Sequence, residues 1–137
     1  DGSGFGITYS MSGSMPVTVN YTSYSTGAAN SDVTSLGAKV TAGAATVIAA
    51  VNETGTFTGT SIGATYAVSD VLTLQAYSGS GDKSDDADFE SELSGVGLSY
   101  TVTPGMKVSI TQNDFTGKGG SAEQSGSRTA FAVDVSF

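Results

Sequence analysis

The sequence predicts an all-β fold, an antiparallel up-and-down transmembrane β-barrel, and three observations predict it. Apolar and small polar residues alternate in segment after segment. Turn signals cut the chain at intervals that are alternately short and long. Charged side chains are scarce: of 137 residues 38% are apolar and only 13% charged, while Gly fills 19 positions. Ser, Thr and Gly replace the Glu, Lys, Arg and Leu that build surface helices.

The first element is Phe5-Gly-Ile-Thr-Tyr-Ser-Met11, which puts Phe5, Ile7, Tyr9 and Met11 on one face and Gly6, Thr8 and Ser10 on the other. A turn at Ser12-Gly13-Ser14 leads to the alternating segment Val17 to Tyr21, completing a hairpin. After the polar loop Thr26 to Asp32, Leu36, Ala38 and Val40 alternate with Gly37, Lys39 and Thr41. Ala42-Gly43 then turns the chain into Ala45 to Val51. A loop over Asn52 to Thr60 precedes Ile62, Ala64, Tyr66 and Val68, a tight turn at Ser69-Asp70, and a return through Leu72, Leu74 and Ala76.

An acidic loop from Ser78 to Glu92 precedes Val96, Leu98, Tyr100 and Val102; Pro104-Gly105 turns the chain back through Met106, Val108 and Ile110. The loop Asn113 to Ser127 leads to a last strand, Arg128 to Phe137, with Thr129, Phe131, Val133, Val135 and Phe137 on one face. Nine strands result, in one domain over residues 1–137. The segments Gly4-Phe-Gly-Ile-Thr-Tyr9, Ser61-Ile-Gly-Ala-Thr-Tyr66 and Gly95-Val-Gly-Leu-Ser-Tyr100 superpose as repeats.

Short turns at one end and long polar loops at the other are expected of a barrel in the outer membrane, with the short turns periplasmic. Backbone groups in hydrocarbon must pair within the sheet, so the outer face is apolar and the inner face meets water. Tyr9, Tyr66 and Tyr100 lie on the apolar face a few residues before short turns, and with Phe137 they form one aromatic girdle. Tyr21, Tyr24, Tyr77 and Phe115 are candidates for the other.

The ending from Gly95 to Ile110 and from Arg128 to Phe137 resembles the last three strands of Gram-negative general porins, particularly those of alphaproteobacteria. In the closing strand Phe131, Val133, Val135 and Phe137 match the signal read by the barrel-assembly machinery. The resemblance implies a 16-stranded homotrimeric barrel in the bacterial outer membrane, in contact with lipid and lipopolysaccharide, that passes small hydrophilic solutes. Nine strands and 137 residues fall short of such a barrel, so the chain reads as the C-terminal portion of one, or as an 8-stranded barrel with one strand misassigned. The inner face favours the first: residues such as Thr8, Gly37, Gly63, Ser99 and Ala132 leave a small barrel hollow, whereas an 8-stranded interior is normally filled by side chains.

Charged and amide side chains on the inner face are the candidates for solute selection: Lys39, Lys107, Arg128 and Asp134, with Gln75 and Asn20 beside them. The acidic loop carries Asp82, Asp85, Asp86 and Asp88, whose functional reading is a weak calcium site bridging lipopolysaccharide and whose plainer reading is a solvated loop. No other cofactor is expected.

With no His or Cys and no convincing Ser-Lys pair, nucleophilic catalysis has no base, so the protein is expected not to be an enzyme. A net charge of -8 with five cationic residues offers no footprint for nucleic acid. Two other functions compete with a channel: a closed 8-stranded barrel serving as anchor, adhesin or phage receptor, and a soluble or fibrous extracellular β-protein.

Overall fold

The computed structural model describes residues 2–25, 27, 32–120 and 122–136, without the side chain at 87. The strands are β1 (Ser3–Met11), β2 (Val17–Ser25), β3 (Val33–Ala42), β4 (Ala45–Thr54), β5 (Phe57–Ala67), β6 (Leu72–Lys83), β7 (Asp86–Thr103), β8 (Met106–Gly119) and β9 (Ala122–Val135). They form one sheet in sequence order, each strand antiparallel to the next. No helix occurs among the described residues.

Local chemistry fixes the turns. Pro104 presets the first central position of the β7–β8 turn and Gly105, at φ 85°, supplies the left-handed second one, the pattern of a type II turn. Gly105 also accepts a backbone bond from Ser136, 2.8 Å long, which ties β9 to the turn. Between β5 and β6 the Ser69 hydroxyl accepts from the Leu72 amide at 3.2 Å, while Leu72 accepts from the Val68 amide at 2.9 Å. Short connections of this kind fix register, because a one-residue slip would carry every apolar side chain to the opposite face.

The strands run further than their apolar segments. Ser78 to Glu92, expected as a loop, is strand up to a tip at Ser84-Asp85: Ser78 pairs with Ser94, Ser80 with Glu92 and Asp82 with Glu90, before a bulge at Lys83. Asn113 to Ser127 likewise pairs through to Gly119 opposite Ala122, and Asn52 to Thr60 contracts to a tip at Gly55-Thr56. The cause is that a pleated ladder, once started, pairs each new backbone group without a fresh closure cost, and cross-strand polar contacts such as Thr60 to Ser80 at 2.8 Å suit Ser and Thr as well as apolar pairs suit Val. The expected loop Thr26 to Asp32 falls largely outside the described residues.

No apolar side chain is buried among the described residues. Phe131 is 71% exposed, Tyr9 63%, Ile7 61% and Phe5 60%, all on one face of the sheet. A single sheet with one continuous uncovered apolar face is far larger than the isolated patches water tolerates.

Candidate channel wall and its two faces

Cross-strand register sorts the side chains into two faces. One holds Phe5, Ile7, Tyr9 and Met11 of β1, then Tyr21, Leu36, Val51, Ile62, Leu74, Leu98, Ile110 and Phe131 on the following strands. The other carries small hydroxyl, amide and glycine positions: Thr8 opposite Asn20 opposite Gly37, and Thr65 opposite Gln75 opposite Gly97. Hydroxyls on this second face join across strands, Ser10 to Thr18 at 3.3 Å and Thr41 to Thr46 at 3.1 Å, and Ser35 donates to Asn52 at 2.6 Å.

The three tyrosines of the expected girdle do not share one rung of the ladder; they lie on a slant across it. Tyr9 is level with Val19, Ala38, Ala49 and Ile62, so Tyr66 stands four residues nearer the short turns after four strand steps. Tyr66 is level with Leu74 and Leu98, so Tyr100 stands two residues nearer after two more steps. One residue per strand, at ~3.3 Å along a strand and ~4.8 Å between strands, is a slope of about 35°. Barrel strands tilt by roughly 35–45° from the axis, so the line has the slope that a level ring takes in a barrel wall of that tilt. Val135 of β9 falls on the same line, two residues beyond Val133, which is level with Tyr100.

On that slope the change of polarity comes at one height on every strand. The last apolar outward residues are Phe5, Tyr21, Leu36, Val51, Ile62, Ala76, Val96, Ile110 and Phe131; the next outward residues are Ser3, Ser23, Thr34, Glu53, Thr60, Ser78, Ser94, Gln112 and Thr129. The boundary groups bond to each other: Thr34 donates to Glu53 at 3.2 Å, and Thr129 donates to Gln112. The band is roughly 16 Å high, or about 21 Å with the hydroxyl row, against ~25 Å for an average barrel. Above it the outward face is charged: Asp82, Glu90, Lys118 and Glu123 stand opposite one another on four successive strands, Lys118 between two glutamates.

On the polar face Lys39, Lys107 and Asp134 lie within one residue of the tyrosine line once the slant is removed, with Lys107 directly opposite Asp134. Asn20 and Gln75 stand just above them, and Arg128 lies six residues further up β9, opposite Asn113. Of the four aspartates of the acidic hairpin, Asp82 is on the outward row of β6, Asp85 in the tip, and Asp86 and Asp88 at the start of β7, where the Asp88 amide donates to Asp86 at 3.2 Å. Among the described residues no three carboxylates converge on one point. Phe131, Val133 and Val135 face outward on β9; Phe137 lies outside the described residues.

The expected second girdle is corrected. Tyr21 is on the apolar face opposite Ile7, but Tyr24, Tyr77 and Phe115 are on the polar face. Parity was the available signal: Tyr77 is an odd number of residues from Leu74, and Phe115 from Ile110. Phe57, Phe89 and Phe115 lie toward the long-hairpin end, above the outward hydroxyl row, whereas Tyr77 stands just below that row, between Ala76 and Ser78 and opposite Gly63 and Gly95.

No curated protein and no solved structure matches the chain. A model of the Gram-negative porin family matches residues 1–120, β1 to β8 in full. Porins are channel proteins of the bacterial outer membrane rather than enzymes, and the level apolar band and the polar opposite face are the two surfaces such a wall requires. By that match, this chain belongs to the Gram-negative porin family.

Proposed function

We propose that the protein is a passive diffusion channel for ions and small hydrophilic solutes, with the apolar band in lipid, the small polar face toward a water-filled lumen and the short turns in the periplasm. One observation carries this reading. Through the height of the apolar band, the inward wall is built mostly of Ser, Thr, Gly, Ala, Asn and Gln, with Lys39, Ile48, Tyr77 and Lys107 the larger groups, too few to fill the lumen of a wide barrel. Lys39, Lys107 and Asp134 then form a charged ring near the periplasmic mouth, where fixed charge biases the local ion concentration. Closure into a 16-stranded barrel and assembly as a homotrimer complete the proposal, and outward Phe131, Val133 and Val135 would serve recognition by the assembly machinery.

The test is single-channel recording in planar bilayers of the protein purified from its outer membrane. Stepwise, ohmic conductance that scales with salt is the expected result. A detergent-resistant barrel that inserts without current would refute the channel and favour an anchor.

A further inference from the structure

The ladders sort charge by face, and the lumen side has the opposite sign to the chain. The net charge of the whole sequence is -8. Among the paired residues of the described strands, the outward rows hold six carboxylates, Glu53, Asp82, Glu90, Glu92, Asp114 and Glu123, against one cation, Lys118. The inward rows hold four cations, Lys39, Lys83, Lys107 and Arg128, against two carboxylates, Asp86 and Asp134. Strand parity is the cause: Glu53 is an even number of residues from Val51, and Lys39 an odd number from Leu36. Each inward carboxylate is matched, since Asp134 stands directly opposite Lys107 and Asp86 opposite Lys83. Lys39 and Arg128 are left over. Lys39 lies between Thr18 and Ile48, and Arg128 lies opposite Asn113. Both side chains are exposed, and among the described residues no carboxylate lies beside either of them on that face.

Charges on the two faces act on different water. The wall is about 10 Å thick, and at about 0.1 M salt a charge is screened over roughly 10 Å. The outward carboxylates stand above the apolar band, around the outside of the rim. Lys39 and Arg128 instead face the enclosed side, at its two ends. With the slant removed, Arg128 lies six residues higher than Lys39, roughly 16 Å along the path of a passing ion. Fixed positive charge concentrates anions beside it and depletes cations. From this sorting we infer that the lumen selects small anions over cations, with Arg128 at the outer end and Lys39 at the periplasmic end as the selecting groups, in a chain that is acidic as a whole. In water at about 0.1 M salt, one unmatched charge some 7 Å from the ion path changes the anion-to-cation ratio by about threefold.

The inference rests on the channel reading, and the experiment separates the two. Reversal potentials are recorded in planar bilayers across a potassium chloride gradient centred at about 0.1 M, with the protein and its variants purified from the outer membrane. The mobility difference between unheated and heated samples confirms that each variant is folded. Chloride should be more permeant than potassium. Lys39→Gln and Arg128→Gln should each lower the chloride-to-potassium ratio by about threefold, while Arg128→Lys keeps it. Asp134→Asn, which leaves Lys107 unmatched, should raise the ratio by a similar factor. Glu92→Gln and Asp114→Asn, on the outward rows, should leave it unchanged. Current in which potassium is the more permeant ion, or a ratio that Lys39→Gln and Arg128→Gln leave unmoved, would overturn the anion preference and leave the channel. Absence of any current refutes the channel and the anion preference with it.

Discussion

Leu98 and Ser99 are neighbours in sequence on opposite faces of β7, which makes them the sharpest test of which face meets lipid. Leu98 lies between Leu74 and Ile110, in the middle of the apolar band; Ser99 lies between Thr73 and Ser109 on the polar face. An arginine near the middle of the hydrocarbon layer costs about 2–4 kcal/mol on the lipid face of a barrel. Leu98→Arg should therefore lower the folding equilibrium in vesicles by roughly 30- to 1000-fold. Ser99→Arg should cost less than about 1 kcal/mol, since its guanidinium stays in water. Urea titration in lipid vesicles, followed by the mobility difference between unheated and heated samples, measures both. An equal cost for the two, or a larger one for Ser99→Arg, would refute the facial assignment and with it the level band.

Lys39→Glu combined with Lys107→Glu should shift the reversal potential toward cation selectivity in dilute salt. The shift should fade at 1 M salt, where the Debye length falls to about 3 Å. Replacing Asp82 to Glu90 by Asn-Gly, a two-residue turn closing on the Gly81–Ser91 pair, should leave membrane insertion intact by the same gel assay, because that hairpin end stands above the band. Gly105→Val should destabilise by about 1–3 kcal/mol in the same titration, for a φ of 85° that β-branched residues avoid and a Cβ within 2.7 Å of the Ser136 carbonyl.

Periodicity makes the membrane half of each strand legible, because hydrocarbon on one side and water on the other force strict alternation. It leaves the other half illegible for the same reason. Beyond the hydroxyl row both faces meet water, so Ser78-Gly-Ser-Gly-Asp82 has the composition of a loop while its backbone continues the ladder. The aromatics show a different failure. Nearness to strand ends, where a girdle belongs, points to Tyr24, Tyr77 and Phe115, although counting residues from Val19, Leu74 and Ile110 puts each on the opposite face. The slant of the tyrosine line is beyond any single strand, since it exists only in the register between strands. Lys107 and Asp134 are likewise 27 positions apart in sequence, and only the β8–β9 ladder makes them neighbours.

Strand direction also constrains how the wall closes. β1 and β9 are the two edges of the sheet, and both run toward the short turns. In hydrocarbon a row of unpaired N–H and C=O groups costs several kcal/mol per group, so neither edge stays open in the membrane. Pairing β1 directly with β9 would place one parallel ladder in an antiparallel meander. Antiparallel closure takes an odd number of further strands between them, the even total that bacterial barrels have. Hydrogen exchange on the assembled protein in lipid tests this. Amides on the outer edges of Gly4 to Ser10 and of Thr129 to Val135 should exchange as slowly as those of β4 and β5, which are paired on both sides. Fast exchange at alternate residues of either strand would show an edge left unpaired, and would refute closure of this wall into a barrel.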